Sequence, residues 1–218
     1  MIEEQAKTSG EFTCFVAIDV IKAYDRADQN RSITKIQKIA PAEAHITNFL
    51  WTNAVTYINY EGSTICGYCT NYGLRQGAPS SPTIFNLIMK DVMKRLMYYG
   101  HGVTIGPFRI PGAAFADDSW LVADNWERAE AAYYAMRDGL AHFGLEANPK
   151  KSYCWRIPVY PLEEFGNFGD IFPIRPRIPY SKDYNYLGLN YKLALRKEIL
   201  WENALSKARR LEATVIRA

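Results

Sequence analysis

The sequence predicts an α+β fold, with an antiparallel sheet backed by helices. Three observations carry that expectation. The run 12–18 is apolar, β-branched and aromatic, and has the length of a strand. The run 113–122 alternates about a tight turn and reads as a hairpin. Two longer stretches, 82–98 and 126–143, repeat apolar residues at helical spacing.

Each element has a local reason. The first strand ends on Asp19 and runs into Val20, Ile21, Lys22, Ala23, Tyr24 and Asp25. Residues 41–54 read as a helix. Residues 55–60 and 63–65 flank Glu61-Gly62 and read as a hairpin. In Arg75-Gln76-Gly77 the glycine frees the backbone for positive φ or for close approach of a ligand. Pro79-Ser80-Ser81-Pro82 is a turn entering a helix, with Ser81 as N-cap and Pro82 at the first helical position. Phe85, Ile88, Met89, Val92, Met93 and Leu96 then form one apolar face, which core packing explains. The hairpin 113–122 carries Asp117-Asp118 near its tip. Asp124-Asn125 announce the next helix and Gly144 stops it, with Ala131, Tyr134, Ala135, Ala141 and Phe143 as its expected packing face. Asn148-Pro149-Lys150-Lys151 form a turn. Residues 156–183 are rich in Pro and Gly and read as a long excursion from the sheet. Residues 195–217 are helical in pattern, with Leu200, Leu205, Leu211 and Val215 partly periodic among many cations. The chain shows no internal repeat.

The carboxylates are the informative chemistry. Adjacent aspartates after an apolar run repel each other and lose hydration unless a cation compensates. A hard divalent ion such as Mg²⁺ accepts such ligands, often one or two carboxylates together with substrate phosphates. Asp19 ends another predicted strand, so adjacency in one sheet would create a dinuclear site of the kind that serves phosphoryl transfer. A solvated Asp-Asp turn is the plain alternative for the hairpin taken alone.

Composition bounds the rest. The 218 residues can hold a sizeable core, and 48% hydrophobic with 14% aromatic content excludes wholesale disorder. A net charge of +3 does not by itself demand nucleic acid. No run reaches the roughly 18 apolar residues of a membrane span, and the N-terminus lacks a signal-peptide pattern, so an intracellular protein without a membrane partner is expected. Cys14, Cys66, Cys69 and Cys154 are expected to be reduced thiols, since Cys66-x-x-Cys69 has no second ligand pair of matching spacing.

Five blocks stand in an informative order: D-V-I-K-A-Y-D (19–25), L-R-Q-G-A-P-S-S-P-T-I-F-N (74–86), F-A-D-D (115–118), G-L-E-A-N-P-K-K-S (144–152) and Y-L-G (186–188). Together they resemble the reverse transcriptase domain of non-LTR, LINE-type retrotransposons. The resemblance implies a right-hand polymerase palm over 1–191, with the fingers motifs largely missing, and the start of a helical thumb over 192–218. It implies RNA-directed DNA synthesis by two-metal nucleotidyl transfer onto a primer 3′-hydroxyl. Asp19, Asp117 and Asp118 would be catalytic and would bind two Mg²⁺ ions, for which Mn²⁺ can substitute. Lys151, with Lys150 as its rival, would assist the leaving pyrophosphate. Tyr24 would lie under the sugar of the incoming nucleotide and exclude a 2′-hydroxyl; a core tyrosine is the plain alternative, and only the position in the motif makes this one specific. Arg75, Gln76 and Gly77 would line the nucleotide and template pocket, and Tyr186, Leu187 and Gly188 the primer-grip region.

The implied partners are an RNA template, a DNA primer, dNTPs and the fingers and endonuclease parts of a larger polyprotein. A eukaryotic element would place it in the nucleus. A group II intron-type reverse transcriptase and a catalytically incompetent remnant that only binds nucleic acid fit the same blocks. One departure is Ser80, where the family more often has leucine.

Overall fold

The computed structural model describes residues 13–157, 174–175, 177–181, 183–186 and 189–192. In chain order the elements begin β1 (Thr13–Ile18), α1 (Ala23–Arg26), α2 (Gln29–Gln37), α3 (Pro41–Thr52), β2 (Thr56–Tyr60), β3 (Ser63–Tyr68) and α4 (Ser81–Tyr98). They continue with β4 (Val103–Ile105), β5 (Phe108–Ile110), β6 (Gly112–Phe115), β7 (Asp118–Ala123), α5 (Trp126–Ala141), β8 (Tyr153–Ile157), β9 (Asp183–Tyr186) and β10 (Leu189–Lys192). The expected 195–217 helix, Leu187 and Gly188 lie outside the described residues.

The expected α+β arrangement is present. Its centre is a four-stranded sheet of order β6-β7-β1-β8 in which every neighbour is antiparallel. Strand β1 alternates between two apolar environments. Cys14, Val16 and Ile18 join Leu121 of β7 and Cys154 of β8 in the main core, beneath Phe85, Ile88 and Val92 of α4 and Tyr133, Met136 and Leu140 of α5. Phe15 points the other way. It stacks on Trp155 at 5.1 Å between ring centroids, in a smaller cluster with Val122. Val103 and Ile110 of the β4–β5 hairpin partly cover that cluster. Burying both faces fixes the register, because a one-residue slip would exchange the two sets of side chains.

Two glycines allow close approaches. A Cβ on Gly112, whose φ is +150, would run into the Trp120 carbonyl of the neighbouring strand. A Cβ on Gly139 would sit 3.0 Å from a Val92 methyl, so α5 can lie tightly on α4.

Several local expectations are corrected. Ser80, not Ser81, is the N-cap of α4, and it makes no side-chain cap bond. Ser81 is buried in the first turn, where its hydroxyl donates to the Arg75 carbonyl at 2.6 Å. The packing face of α5 is rotated. Phe143 is buried and Ala135 packs half-buried against the core as expected, but the face centres on Ala129, Ala132, Tyr133, Met136 and Leu140, whereas Ala131 and Ala141 are exposed and Tyr134 is half-buried. The glycine at 139 sets this face by admitting α4, and a pattern count that scores only apolar side chains gives it no weight. Asn125 caps α5 by accepting from Arg128 N–H at 2.8 Å. Strand β8 includes Arg156, which the sequence assigned to the Pro/Gly-rich excursion; the chain returns beside β8 where Tyr180 bridges Cys154. Helix α2, capped by Asp28, and the β4–β5 hairpin were not anticipated, since α2 buries only Ser32 and Ile36.

Cys14 and Cys154 are free, buried thiols. Burial pushes Cys154 up to about 12 and raises Cys14 further, with Cys154 adding to the latter shift, so neither is a ready thiolate. Cys69 is an exposed free thiol. No helix among the described residues is long and apolar enough to cross a membrane.

The β6–β7 turn holds Ala116 at φ 51, in the left-handed region that an alanine occupies at a cost of about 1–2 kcal/mol. Ala116→Gly is expected to stabilise the chain by about 0.5–1 kcal/mol, after subtracting the extra backbone entropy of glycine. Urea denaturation measures this; an unchanged or lower midpoint would show that the turn is not strained.

Candidate active site

The β1–β7 ladder assembles the site. Its last pair is Ile18 with Ser119, tied further by the buried Ser119 hydroxyl, which donates to the Ile18 carbonyl at 3.4 Å. Opposed residues of an antiparallel pair have Cα atoms about 4.5–5.5 Å apart. Asp19 follows Ile18 directly and Asp118 precedes Ser119, so the two aspartates extend the ladder from its two sides. By alternation Asp19 continues the row Phe15, Ala17, and Asp118 the row Trp120, Val122, on the face away from the helices. Asp117 sits in the β6–β7 turn, closed by the Phe115–Asp118 pair. Asp117 and Asp118 are exposed, and Asp19 is half-buried.

Asp19 is anchored from its other side. Beyond β1 the chain bridges Val20 to Ala147, and Ile21 N–H donates to the Glu146 carbonyl at 2.9 Å. That pairing sets residues 146–148 beside Asp19. Asn148 N–H donates to the Asp19 carbonyl at 2.8 Å, and the Asn148 side-chain amide donates to Asp19 Oδ2 at 3.1 Å. Asp19 N–H donates to the hydroxyl of Ser152 at 3.2 Å.

Tyr24 lies next to this edge. Its ring stacks on Phe85 with centroids 5.0 Å apart, and it is half-buried against the main core. Burial, and after it the Asp117 carboxylate, raise its phenol above the ordinary tyrosine value. Tyr24 is therefore packed against the core beside the turn that carries Asp117.

The segment 72–77 is zipped along 24–29. Leu74 N–H donates to the Tyr24 carbonyl at 2.6 Å and Gly73 N–H to the Ala27 carbonyl at 2.8 Å. The Gln29 amide donates to the Gly73 carbonyl at 2.9 Å, and the Gln76 amide to Asp25 Oδ1 at 3.2 Å. Arg75, Gln76 and Gly77 are exposed, and Gly77 uses φ +84 with open space around its Cα. Arg75 and Gln76 share an open groove of about 340 Å³ with Asp25, Trp51 and Tyr72. Flat rings, an amide and a guanidinium suit an unpaired nucleobase.

Lys150 and Lys151 are exposed in the turn after Asn148; their backbone N–H groups donate to Asn148 Oδ1 and the Asn148 carbonyl at 3.2 Å each. Neither lysine forms an ion pair among the described residues. Tyr186 ends β9, whose pairing with β10 begins at Tyr186–Leu189.

Among the described residues no three His, Cys, Asp or Glu side chains are gathered as a ready metal cage. The donor set nevertheless fits Mg²⁺, which takes one or two carboxylates and completes its shell with water and substrate phosphate. Asp19 and the Asp117-Asp118 turn provide carboxylates at one end of the two inner strands, two of them open to solvent. Sequence reading missed Asn148 and Ser152 as partners of Asp19. Both lay inside a quoted block, but the contact spans 129 positions and only the fold closes it.

Residues 2–191 match the family described as Reverse transcriptase (RNA-dependent DNA polymerase). The retrovirus-related Pol polyprotein from type-1 retrotransposable element R2 of Popillia japonica is 31% identical over 153 residues, covering 68% of this chain and 21% of that protein. The Pol polyprotein from type-2 retrotransposable element R2DM of Drosophila melanogaster is 27% identical over 188 residues, covering 82% of this chain and 18% of its own length. The chain thus spans about a fifth of the length of these relatives. Among solved structures, apo telomerase from Candida tropicalis superposes with a TM-score of 0.57 at 13% identity, over 87% of this chain and 36% of that one. At that identity the likeness is one of fold.

Proposed function

Because the chain belongs to the reverse transcriptase (RNA-dependent DNA polymerase) family, we propose that it forms the palm of an RNA-directed DNA polymerase and adds deoxynucleotides to a primer 3′-hydroxyl. One observation carries the reading: the β1–β7 ladder brings Asp19 and the Asp117-Asp118 turn to one edge, with Tyr24 within electrostatic reach of Asp117.

Asp19 and Asp117 would hold the divalent ions that this family uses, here two Mg²⁺ with Mn²⁺ as a substitute, and Asp118 would stand at the rim. Such ions supply charge stabilisation for the attacking and leaving oxygens of an in-line displacement. The residues of the chain do the positioning. Tyr24, held flat by Phe85, forms a wall beside Asp117 where the sugar of an incoming nucleotide would lie. Gln76, oriented by Asp25, and Arg75 present polar groups to the groove, where a template base would be received. Lys151, or Lys150, would neutralise the departing pyrophosphate. Tyr186, Leu187 and Gly188 would meet the primer, and the cations of 192–217 would follow the duplex backbone as the start of a thumb.

Primer extension tests this reading, with the chain carried in a protein of the length its relatives have. An RNA template, a DNA primer, dNTPs and Mg²⁺ are expected to give extended DNA, and chelation to stop it. Extension that continues without divalent ions, or none on any primed RNA template, would overturn the proposal.

A further inference from the structure

We infer that Asn148 is a positioning residue for Asp19: its side-chain amide grips one carboxylate oxygen and leaves the other to a divalent cation. This rests on the proposed metal role of Asp19. The hydrogen-bond network fixes the orientation of the amide. Asn148 Oδ1 accepts from Lys150 N–H at 3.2 Å, so the opposite end, Nδ2, faces Asp19 Oδ2 at 3.1 Å. The asparagine is itself held. Its carbonyl accepts from the Ser152 hydroxyl at 2.7 Å and from Ser152 N–H at 2.9 Å. Ser152 is 1% exposed, and its hydroxyl also accepts from Asp19 N–H. Asp19 is therefore clamped at its N–H, its carbonyl and one carboxylate oxygen by a single turn, residues 148–152. No described residue donates to Oδ1 of Asp19.

The donor's chemistry matters. A lysine or arginine in this place would neutralise the carboxylate and compete with a cation. A neutral amide restricts rotation of the carboxylate and leaves its full charge for the metal. Partners that orient a ligand in this way change metal affinity by about 10–100-fold when removed.

The test is Mn²⁺ binding to the 218-residue chain, followed by the electron paramagnetic resonance signal of the free ion, alongside thermal unfolding. Asn148→Leu keeps the γ-branched shape and the backbone bond but removes the side-chain amide, both the donor to Asp19 and the acceptor of Lys150 N–H. It is expected to weaken Mn²⁺ binding about 10-fold while the unfolding midpoint moves little. Asp19→Asn is expected to weaken binding more. If Asn148→Leu does not fold, Asn148→Ala takes its place in the comparison. Wild-type affinity in a folded Asn148 variant, with Asp19→Asn impaired, would overturn the inference and leave the metal reading standing. Wild-type affinity in Asp19→Asn, or no Mn²⁺ binding by the wild-type chain, would overturn both.

Discussion

Asp117→Asn is expected to reduce nucleotide addition by about 10³-fold or more while leaving the fold intact. The substitution preserves size and shape and removes only the charge. Asp117 is exposed in a two-residue turn and makes no described ion pair, so little stability rides on it. What it would lose is its share in holding a metal against the reacting phosphate. Metal stabilisation of transition-state charge is worth several kcal/mol, and each 1.36 kcal/mol is about tenfold in rate, so losing about 4 kcal/mol gives the stated factor. Single-turnover extension at saturating dNTP reads this directly, and thermal unfolding provides the control. The loss should fall in the chemical step, since Gln76 and Arg75 still offer their contacts. A folded Asp117→Asn protein with near-normal rates would remove Asp117 from the chemistry.

How much of this was legible before the structure differs by element. The strand ending at Asp19 and the hairpin carrying Asp117-Asp118 were plain, because strand-length apolar runs and a tight turn are local signals. Their adjacency was not. Nothing short of the Ile18–Ser119 pairing shows that two segments a hundred residues apart share an edge. Strand β8 was hidden for a different reason. Tyr153, Trp155 and Arg156 give no clean alternation, because both faces of the sheet are covered and the strand needs no polar side. The face of α5 was misphased because Gly139, which carries no hydrophobic signal, lies on the buried face against Val92 of α4. The motif 144–152 drew attention to Lys151, yet its side-chain contacts to Asp19 belong to Asn148 and Ser152. A lysine advertises itself by charge; an asparagine that orients a carboxylate is visible only when the carboxylate is beside it.

The second large effect is expected at Tyr24, in selectivity rather than in rate. Tyr24→Ala should lower the preference for deoxyribonucleotides over ribonucleotides by about 10²-fold, the range in which a close-fitting apolar wall rejects one added hydroxyl. The ring is suited to this work because it is immobilised before any substrate arrives. Phe85 stacks on it at 5.0 Å, and the Tyr24 carbonyl is pinned by Leu74 N–H. Tyr24→Phe keeps the ring and its stack, so it is expected to keep the preference, and the phenol hydroxyl contributes little. That hydroxyl also stays protonated through the neutral range, since burial and the Asp117 carboxylate both push its ionisation upward. Discrimination should therefore be flat with pH across neutrality. The alanine variant will lose some stability as well, because the stack on Phe85 is gone, and for that reason the measurement must be a ratio. Competing dNTP and rNTP incorporation on one primed RNA template gives that ratio independently of the folded fraction. If Tyr24→Ala lost both incorporations equally, Tyr24 would be a packing residue that happens to lie near Asp117, and the choice of sugar would have to be made elsewhere in the site.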